Sequence, residues 1–301
     1  MWFKNLKLYR LAPKAKLTVT DLEAALNLLA FRPGSSQDNQ VSGWMPPRDD
    51  SGLVYAQNGQ ILLRLHVEKK LLPASVVNQA SKARAIQIEE QQGYKPGRKQ
   101  MKEIKEQMTM ELLPRAFVIV HDTRVWIDTI NRWVAIDAAA TASSDEVLGM
   151  LARTLAPFPI VPLHVEVAPA RAMTQWLCEN EAPAGFTIDQ NAELCSTGES
   201  KATVRYLNQT INQKEAVYRI REGKQCTRLA LTWNDRVSFV LTDNLDIKRV
   251  APLDVLKEHQ DAQAANEAEQ FDSDFTLMTG ELAHLLGDLV AALGGIPPTT
   301  D

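Results

Sequence analysis

No stretch of this 301-residue chain approaches an uninterrupted apolar run of about eighteen residues, the length a membrane-spanning helix needs. The opening residues, Met1 to Arg10, hold no long apolar segment and no small-residue cleavage site, so no secretory leader and no membrane association are expected. Cysteine is scarce: Cys178, Cys195 and Cys226 are three, an odd number, and none is in CxxC spacing. Such a set suits free thiols in a reducing compartment and argues against a zinc site. A cytoplasmic location is expected.

Catalytic signatures are missing as well. GxxxxGK[ST], GxSxG, HExxH and GxGxxG do not occur. His66, His121, His164, His259 and His284 are scattered without ligand spacing, and no cofactor is implied. Aspartates do cluster, at Asp122, Asp128 and Asp137 and again at Asp272 and Asp274. Two-metal nucleases are built from such carboxylates, which keeps a metal-dependent nuclease open as an alternative. A structural or adaptor protein that touches no DNA is the other.

What the chain has is segregated charge. Between Lys69 and Lys105 there are nine basic residues: Lys69, Lys70, Lys82, Arg84, Lys95, Arg98, Lys99, Lys102 and Lys105. Three acids, Glu89, Glu90 and Glu103, oppose them, so nine against three leaves +6 in a chain whose net charge is −4. From Pro252 to Asp301 the bias reverses: ten acids against Lys257 leave −9. Segregated positive charge in an acidic protein points to a polyanion partner. The same pattern also suits a solvated helical hairpin.

The basic block reads as two helices. Pro73 suits a first turn. Val76, Ala80, Ala83 and Gln87 then mark one face, and Gly93 and Pro96-Gly97 break the run. The second helix is expected from Arg98 to Leu113, with Met101, Ile104, Met108 and Leu112 as its apolar face. Arg98, Lys102, Lys105 and Thr109 form a separate stripe, its members about 5–6 Å apart along the axis, which suits successive phosphates of one strand. Pro114 ends that helix. Arg115 and Phe117 follow at the start of a strand, two residues apart and so on one face.

Elsewhere an α+β pattern is expected, with antiparallel meanders and helices. Trp2–Leu11 reads as a strand, Thr20 as the cap of a helix over 21–30, and Gly43–Gly52 as a loop. Asn58-Gly59 marks a hairpin turn. A first meander covers 117–138 with a turn at 121–123, and Ser144 caps the helix after it. A second covers 226–250, preceded by a helix capped by Asn212 and Glu215 and stopped by Gly223. The two meander-then-helix units suggest a weak internal duplication. Helices are expected over 253–268 and 277–293. Leu285, Leu286 and Leu289 on the latter suit either core or a subunit contact. Arg205, Lys214, Arg219, Arg221, Lys224 and Arg228 form a second basic cluster. Four parts are drawn: 1–72, the hairpin 73–114, 115–168 completing a first unit, and 169–301 as a second unit with an acidic end.

Six short strings occur in a fixed order: WFKNL at Trp2–Leu6, NGQI at Asn58–Ile61, LLPRAF at Leu112–Phe117, WIDT at Trp126–Thr129, VPL at Val161–Leu163 and MTGEL at Met278–Leu282. In this the whole chain resembles the bacterial recombination-associated RdgC family. The resemblance implies a non-enzymatic, nucleoid-associated protein that binds DNA, duplex and single-stranded, without sequence preference. It also implies a ring-shaped homodimer that encircles duplex DNA and restrains RecA-mediated strand exchange. It gives functional weight to Arg115 and Phe117, and to Asn208 and Gln209, where the family pattern has a lysine in place of Asn208. Arg205 is the nearby basic residue that could substitute. The residues expected to contact DNA are therefore Arg115, Phe117, Asn208, Gln209, Arg205, Arg98, Lys102, Lys105, Lys82 and Arg84. Subunit contacts are expected at Leu285, Leu286 and Leu289, at Met101, Ile104 and Met108, and at Phe117.

Overall fold

A computed structural model describes residues 2–49, 51–198, 201–257 and 266–297. The fold is α+β, with one large antiparallel sheet. Its strands are β1 (Asn5–Leu11), β2 (Gln40–Met45), β3 (Tyr55–Gln57), β4 (Gln60–Leu71), β5 (Phe117–Asp128), β6 (Trp133–Asp137), β7 (Ile160–Pro162), β8 (Phe186–Ser196), β9 (Thr203–Tyr206), β10 (Lys224–Trp233), β11 (Val237–Thr242) and β12 (Ile247–Pro252). Across the sheet the order is β2-β4-β5-β6-β1-β12-β11-β10-β8-β9, with β3 on β4 and β7 on β1. The helices are α1 (Val19–Asn27), α2 (Ala74–Gln92), α3 (Arg98–Leu112), α4 (Thr141–Thr154), α5 (Pro169–Glu179), α6 (Gln213–Arg221), α7 (Asp254–Lys257) and α8 (Glu267–Ala292). Among the described residues no helix is long and apolar enough to cross a membrane.

The two-residue period of a strand divides the core in two. On β4, Ile61, Leu63, Leu65 and Val67 face one side and pack with Leu22 and Leu26 of α1 and Val147 and Leu151 of α4. Leu62, between them, joins Trp126, Leu6 and Leu8 on the opposite side, in a core that includes α5 and α8. The second half keeps to that opposite side: Leu229, Leu231, Phe239, Leu241 and Ile247 all belong to the α5–α8 core. The first half is thus bare on one face beyond Leu62, and the second half is bare on the other.

Several local readings hold for physical reasons. Asn58 and Gly59 take φ of 50° and 75°, the left-handed pair that matches the twist of a tight hairpin. Asn212 caps α6, accepting from the N–H groups of Lys214 and Glu215, and Gly223 stops it at φ 85°. The second meander is β10–β11–β12. All three cysteines are free, and burial pushes the Cys226 thiol up to about 12.

Other expectations are corrected. Residues 121–123 are no turn: β5 pairs with β4 without a break, from Gln60 opposite Asp128 to Leu71 opposite Phe117. Thr18, not Thr20, caps α1, and Glu23 accepts instead from the N–H groups of Leu53 and Val54 at 2.8 and 2.7 Å. Ser144 lies inside α4, bonded back to the Thr141 carbonyl. The loop expected at Gly43–Gly52 begins as strand β2, and β8 was not anticipated at all. Its inward residues, Phe186, Ile188, Ala192 and Leu194, are interrupted by Gln190, which hides the alternation. Of the helix expected over 253–268, residues 258–265 lie outside the described residues; α7 covers its start, and Asn266 caps a separate helix, α8, at its end. The last helix starts at Glu267, so Asp272 and Asp274 lie within it.

Gly43 sits where β2 meets the chain after α1, with Phe31 N–H donating to the Trp44 carbonyl at 2.8 Å. A Cβ there would lie 2.3 Å from Phe31 Cα and 2.5 Å from its nitrogen, both backbone atoms that cannot swing aside. Gly43→Ala is expected to lower stability by about 1–3 kcal/mol, seen as a lower urea midpoint at unchanged slope. Gly149→Ala, on α4 with open space around it, is the control and should be neutral or stabilising.

Candidate nucleic-acid interface

The hairpin α2–α3 leaves the sheet between β4 and β5 and joins neither core. Its two helices pack on each other. Ile104 and Met108 are buried, with Met101 and Leu112 half-buried, so the apolar face expected on α3 exists. It serves the contact within the hairpin, which leaves Ile104 and Met108 no surface for a second subunit. On α2 the inward residues are Val77, Ala80, Ser81 and Ala85, displaced from the Val76–Ala83 face expected; Val76 and Ala83 are exposed.

The hairpin's charge is available. Of the nine cations, Lys69 and the half-buried Lys70 belong to β4, and the seven on the hairpin are all exposed. Among the described residues only Lys102 has an ion-pair partner, Glu106 at 3.8 Å. Lys82 and Arg84 project from α2, where Arg84 Nη1 donates to Gln87 Oε1 at 3.0 Å. The α3 stripe is shorter than expected, because the Thr109 hydroxyl donates back to the Lys105 carbonyl at 2.8 Å. Lys102, Lys105 and Thr109 line a groove of about 650 Å³ at the hairpin root, with Leu72, Val77 and Met110 on its apolar side.

Where α3 ends, Pro114 tightens the chain into a 3₁₀ turn over Leu113–Arg115. Arg115 is exposed but lies in that turn and not in the strand, so strand alternation does not put it on one face with Phe117. Phe117 opens β5 and is 83% exposed. Val118, Ile119 and Val120 are exposed too, on both faces of the strand. β6 meets β5 only at Val125–Ile127, so residues 117–124 have β4 on one edge and, among the described residues, no strand on the other. An apolar strand with an open edge is a pairing template.

The second basic cluster is mostly neutralised. In register, Arg205 of β9 lies opposite Glu193 of β8, which lies opposite Arg228 of β10. Glu193 therefore takes both arginines, at 2.7 and 3.8 Å. Arg219 pairs with Glu215 and Glu222, and Lys224 with Glu222. Asn208 and Gln209 are exposed in the bend after β9. Asn208 has φ 52°, and its N–H donates to Asn191 Oδ1 at 3.1 Å. Asparagine tolerates that left-handed backbone, which explains the residue there independently of any phosphate contact.

Two arginines escaped the sequence reading. Arg64 and Arg124 are directly opposite each other on the bare face of β4 and β5. Like charges so placed repel. Asp122 offsets them from 3.9 Å of Arg64, while Asp122 also lies 2.6 Å from His66 Nδ1. Each arginine alone looks like ordinary strand surface; only the register brings them together.

The aspartates are taken up by structural partners. Asp128 is fully buried and accepts from the N–H groups of Ile130 and Asn131 at 2.9 Å. Asp137 accepts from Lys4 and Asn5 backbone, and burial raises its pKa. Asp272 accepts from Arg48 and from Tyr55, both at 2.6 Å. Among the described residues no three His, Cys, Asp or Glu side chains are grouped to hold a metal. The apolar face of α8 is equally occupied: Leu285, Leu286 and Leu289 are buried in the chain's own core and cannot meet a second subunit.

The family model described as "Putative exonuclease, RdgC" matches residues 1–296. The chain belongs to the RdgC family. Proteins named recombination-associated protein RdgC are similar to it along their length: 60% identical in Bordetella parapertussis and 59% in Cupriavidus necator, each over 98% of this chain and 99% of the relative. The one from Herminiimonas arsenicoxydans is 56% identical over 98% of both. The relatives' names describe a recombination-associated protein, whereas the family description carries the word exonuclease.

Glu193 sets the charge of the bare face in the second half. Glu193→Gln leaves Arg205 and Arg228 without their counter-charge. The variant is expected to elute from heparin at higher salt than the wild type. Identical elution would mean that the two arginines already present their charge to solvent.

Proposed function

We propose that the chain is a DNA-binding protein that holds duplex DNA through its phosphates, without base preference. In this reading it is a ring-shaped homodimer of the bacterial nucleoid that restrains RecA-mediated recombination. The observation that carries DNA binding is the contrast between the two basic clusters. The hairpin keeps seven exposed cations, of which one is ion-paired among the described residues, whereas the second cluster is largely cancelled. Family membership supports the recombination role. The contacts assigned to DNA are Lys82, Arg84, Arg98, Lys102 and Lys105 on the hairpin and Arg115 beside it. Gln209 and Asn208 are kept as secondary contacts. Affinity should fall steeply with salt, and scrambled duplexes should compete equally.

For the subunit contact the open edge of β5 replaces the leucines of α8. Two copies of residues 117–124 can pair antiparallel across a two-fold axis, the same edge meeting itself. Phe117 then passes from solvent into the contact, and Arg115 stays beside it, close to the DNA. Because Arg115 is exposed, its replacement by alanine should leave the urea midpoint unchanged, whereas Phe117→Ala should lower it only through the lost dimer contact, an effect that fades as protein concentration falls. Phe117→Ala is expected to weaken dimerisation in sedimentation velocity. Arg115→Ala should weaken duplex binding several-fold at constant dimer content. Wild-type behaviour by both would remove this site from the reading.

Encirclement has a topological signature. On closed circular DNA the protein should survive a high-salt wash and leave once the circle is cut. Equal retention on circular and linear DNA would mean a one-sided grip. The nuclease alternative is tested on supercoiled plasmid with Mg²⁺ or Mn²⁺, where nicking would revive the aspartates.

A further inference from the structure

The tip of the hairpin presents an aromatic ring to solvent. Tyr94 is 65% exposed, and among the described residues no other ring stacks on it. Its backbone, by contrast, is held. Gln92 Nε2 donates to the Tyr94 carbonyl at 2.8 Å, and Gln100 Nε2 donates to Gln92 Oε1 at 3.1 Å, tying the loop to both helices. Gly93, at φ 81°, ends α2 with its N–H on the Glu89 carbonyl at 2.8 Å. The loop is pre-shaped while its ring is left in water.

Charge surrounds that ring on one side of the sequence. Lys95, Arg98 and Lys99 are exposed and have no ion-pair partner among the described residues, and the first turn of α3 holds no acid. The next exposed large apolar residue back along α2 is Ile86, two turns away, so the tip lacks the broad apolar patch a protein partner would cover. α2 has 19 residues, so the tip stands about 28 Å along the helix from the sheet.

A rigidly presented ring among unpaired cations is the equipment for single-stranded nucleic acid: the cations follow the phosphates and the ring takes the face of a base. In an intact duplex both faces of each internal base are already stacked. A lone ring at a tip finds a free base face only at a gap, a flap or an end. We infer that Tyr94 stacks on an unpaired base beside a duplex, which makes the hairpin tip a reader of single-strand–duplex junctions. This rests on the DNA-binding reading above and adds to it a preferred DNA structure.

The test uses the full-length protein and two DNAs of one sequence, a continuous duplex and a duplex with a short gap containing 2-aminopurine. The wild type should bind the gapped DNA about tenfold more tightly than the duplex and quench the 2-aminopurine. Tyr94→Phe should keep both properties. Tyr94→Ala should lose both while binding the continuous duplex as the wild type does. Wild-type quenching and gap preference in Tyr94→Ala overturn the inference alone and leave the surface to a protein partner. Failure of the wild type to bind either DNA overturns it together with the reading on which it rests.

Discussion

The alternation of side chains along one continuous antiparallel sheet is the constraint on which the rest depends. Because neighbours on a strand point to opposite faces, Leu62 and Trp126 bind the first half to the α5–α8 core while Ile61, Leu63, Val125 and Ile127 bind it to α1 and α4. Each half covers only one of its faces fully. The uncovered faces carry charge: Arg64, Arg124, His66 and Asp122 in the first half, Arg205, Glu193 and Arg228 in the second. The hairpin, inserted between two long paired strands, has no sheet left to pack on and closes on itself.

That arrangement decides how charge can be used. Cross-strand neighbours are close enough to pair, so charges on the sheet find partners there. The acids of α8 do the same work at longer range in the chain: Glu281 holds Arg236 at 2.5 and 2.8 Å, Asp288 accepts from Trp233 Nε1 at 2.8 Å, and Asp272 holds Arg48. Charges on a protruding two-helix hairpin have few such neighbours. They stay exposed to solvent and give the chain its one strongly positive surface among the described residues, even though its net charge is negative.

The open edge of β5 follows from the same geometry. β4 and β5 run on past the end of β6, with β2 on the far edge of β4, so the projecting end of the sheet leaves the other edge of β5 open and carries apolar residues on both faces of that strand. Natural sheets seldom leave such an edge uncovered. Its position next to Arg115 puts a surface suited to assembly beside one suited to an anion.

By itself the sequence determined what depends on neighbours along the chain. The Asn58-Gly59 turn, the Asn212 cap and Gly223 stop of α6, the Ile104–Met108 stripe and the excess of cations from Lys69 to Lys105 were all legible, because propensity, helical spacing and charge count are local quantities. Tertiary structure alone decided the rest. Strands β2 and β8 exist because their partners supply hydrogen bonds that weak alternation does not announce. Leu285, Leu286 and Leu289 became core because the sheet lies against them, although the same apolar stripe would suit a subunit contact. Arg205 and Arg228 lost their free charge to Glu193, and Arg64 gained Arg124 as a neighbour, through strand register. Register joins residues far apart in the chain, and no local pattern encodes which of them will meet.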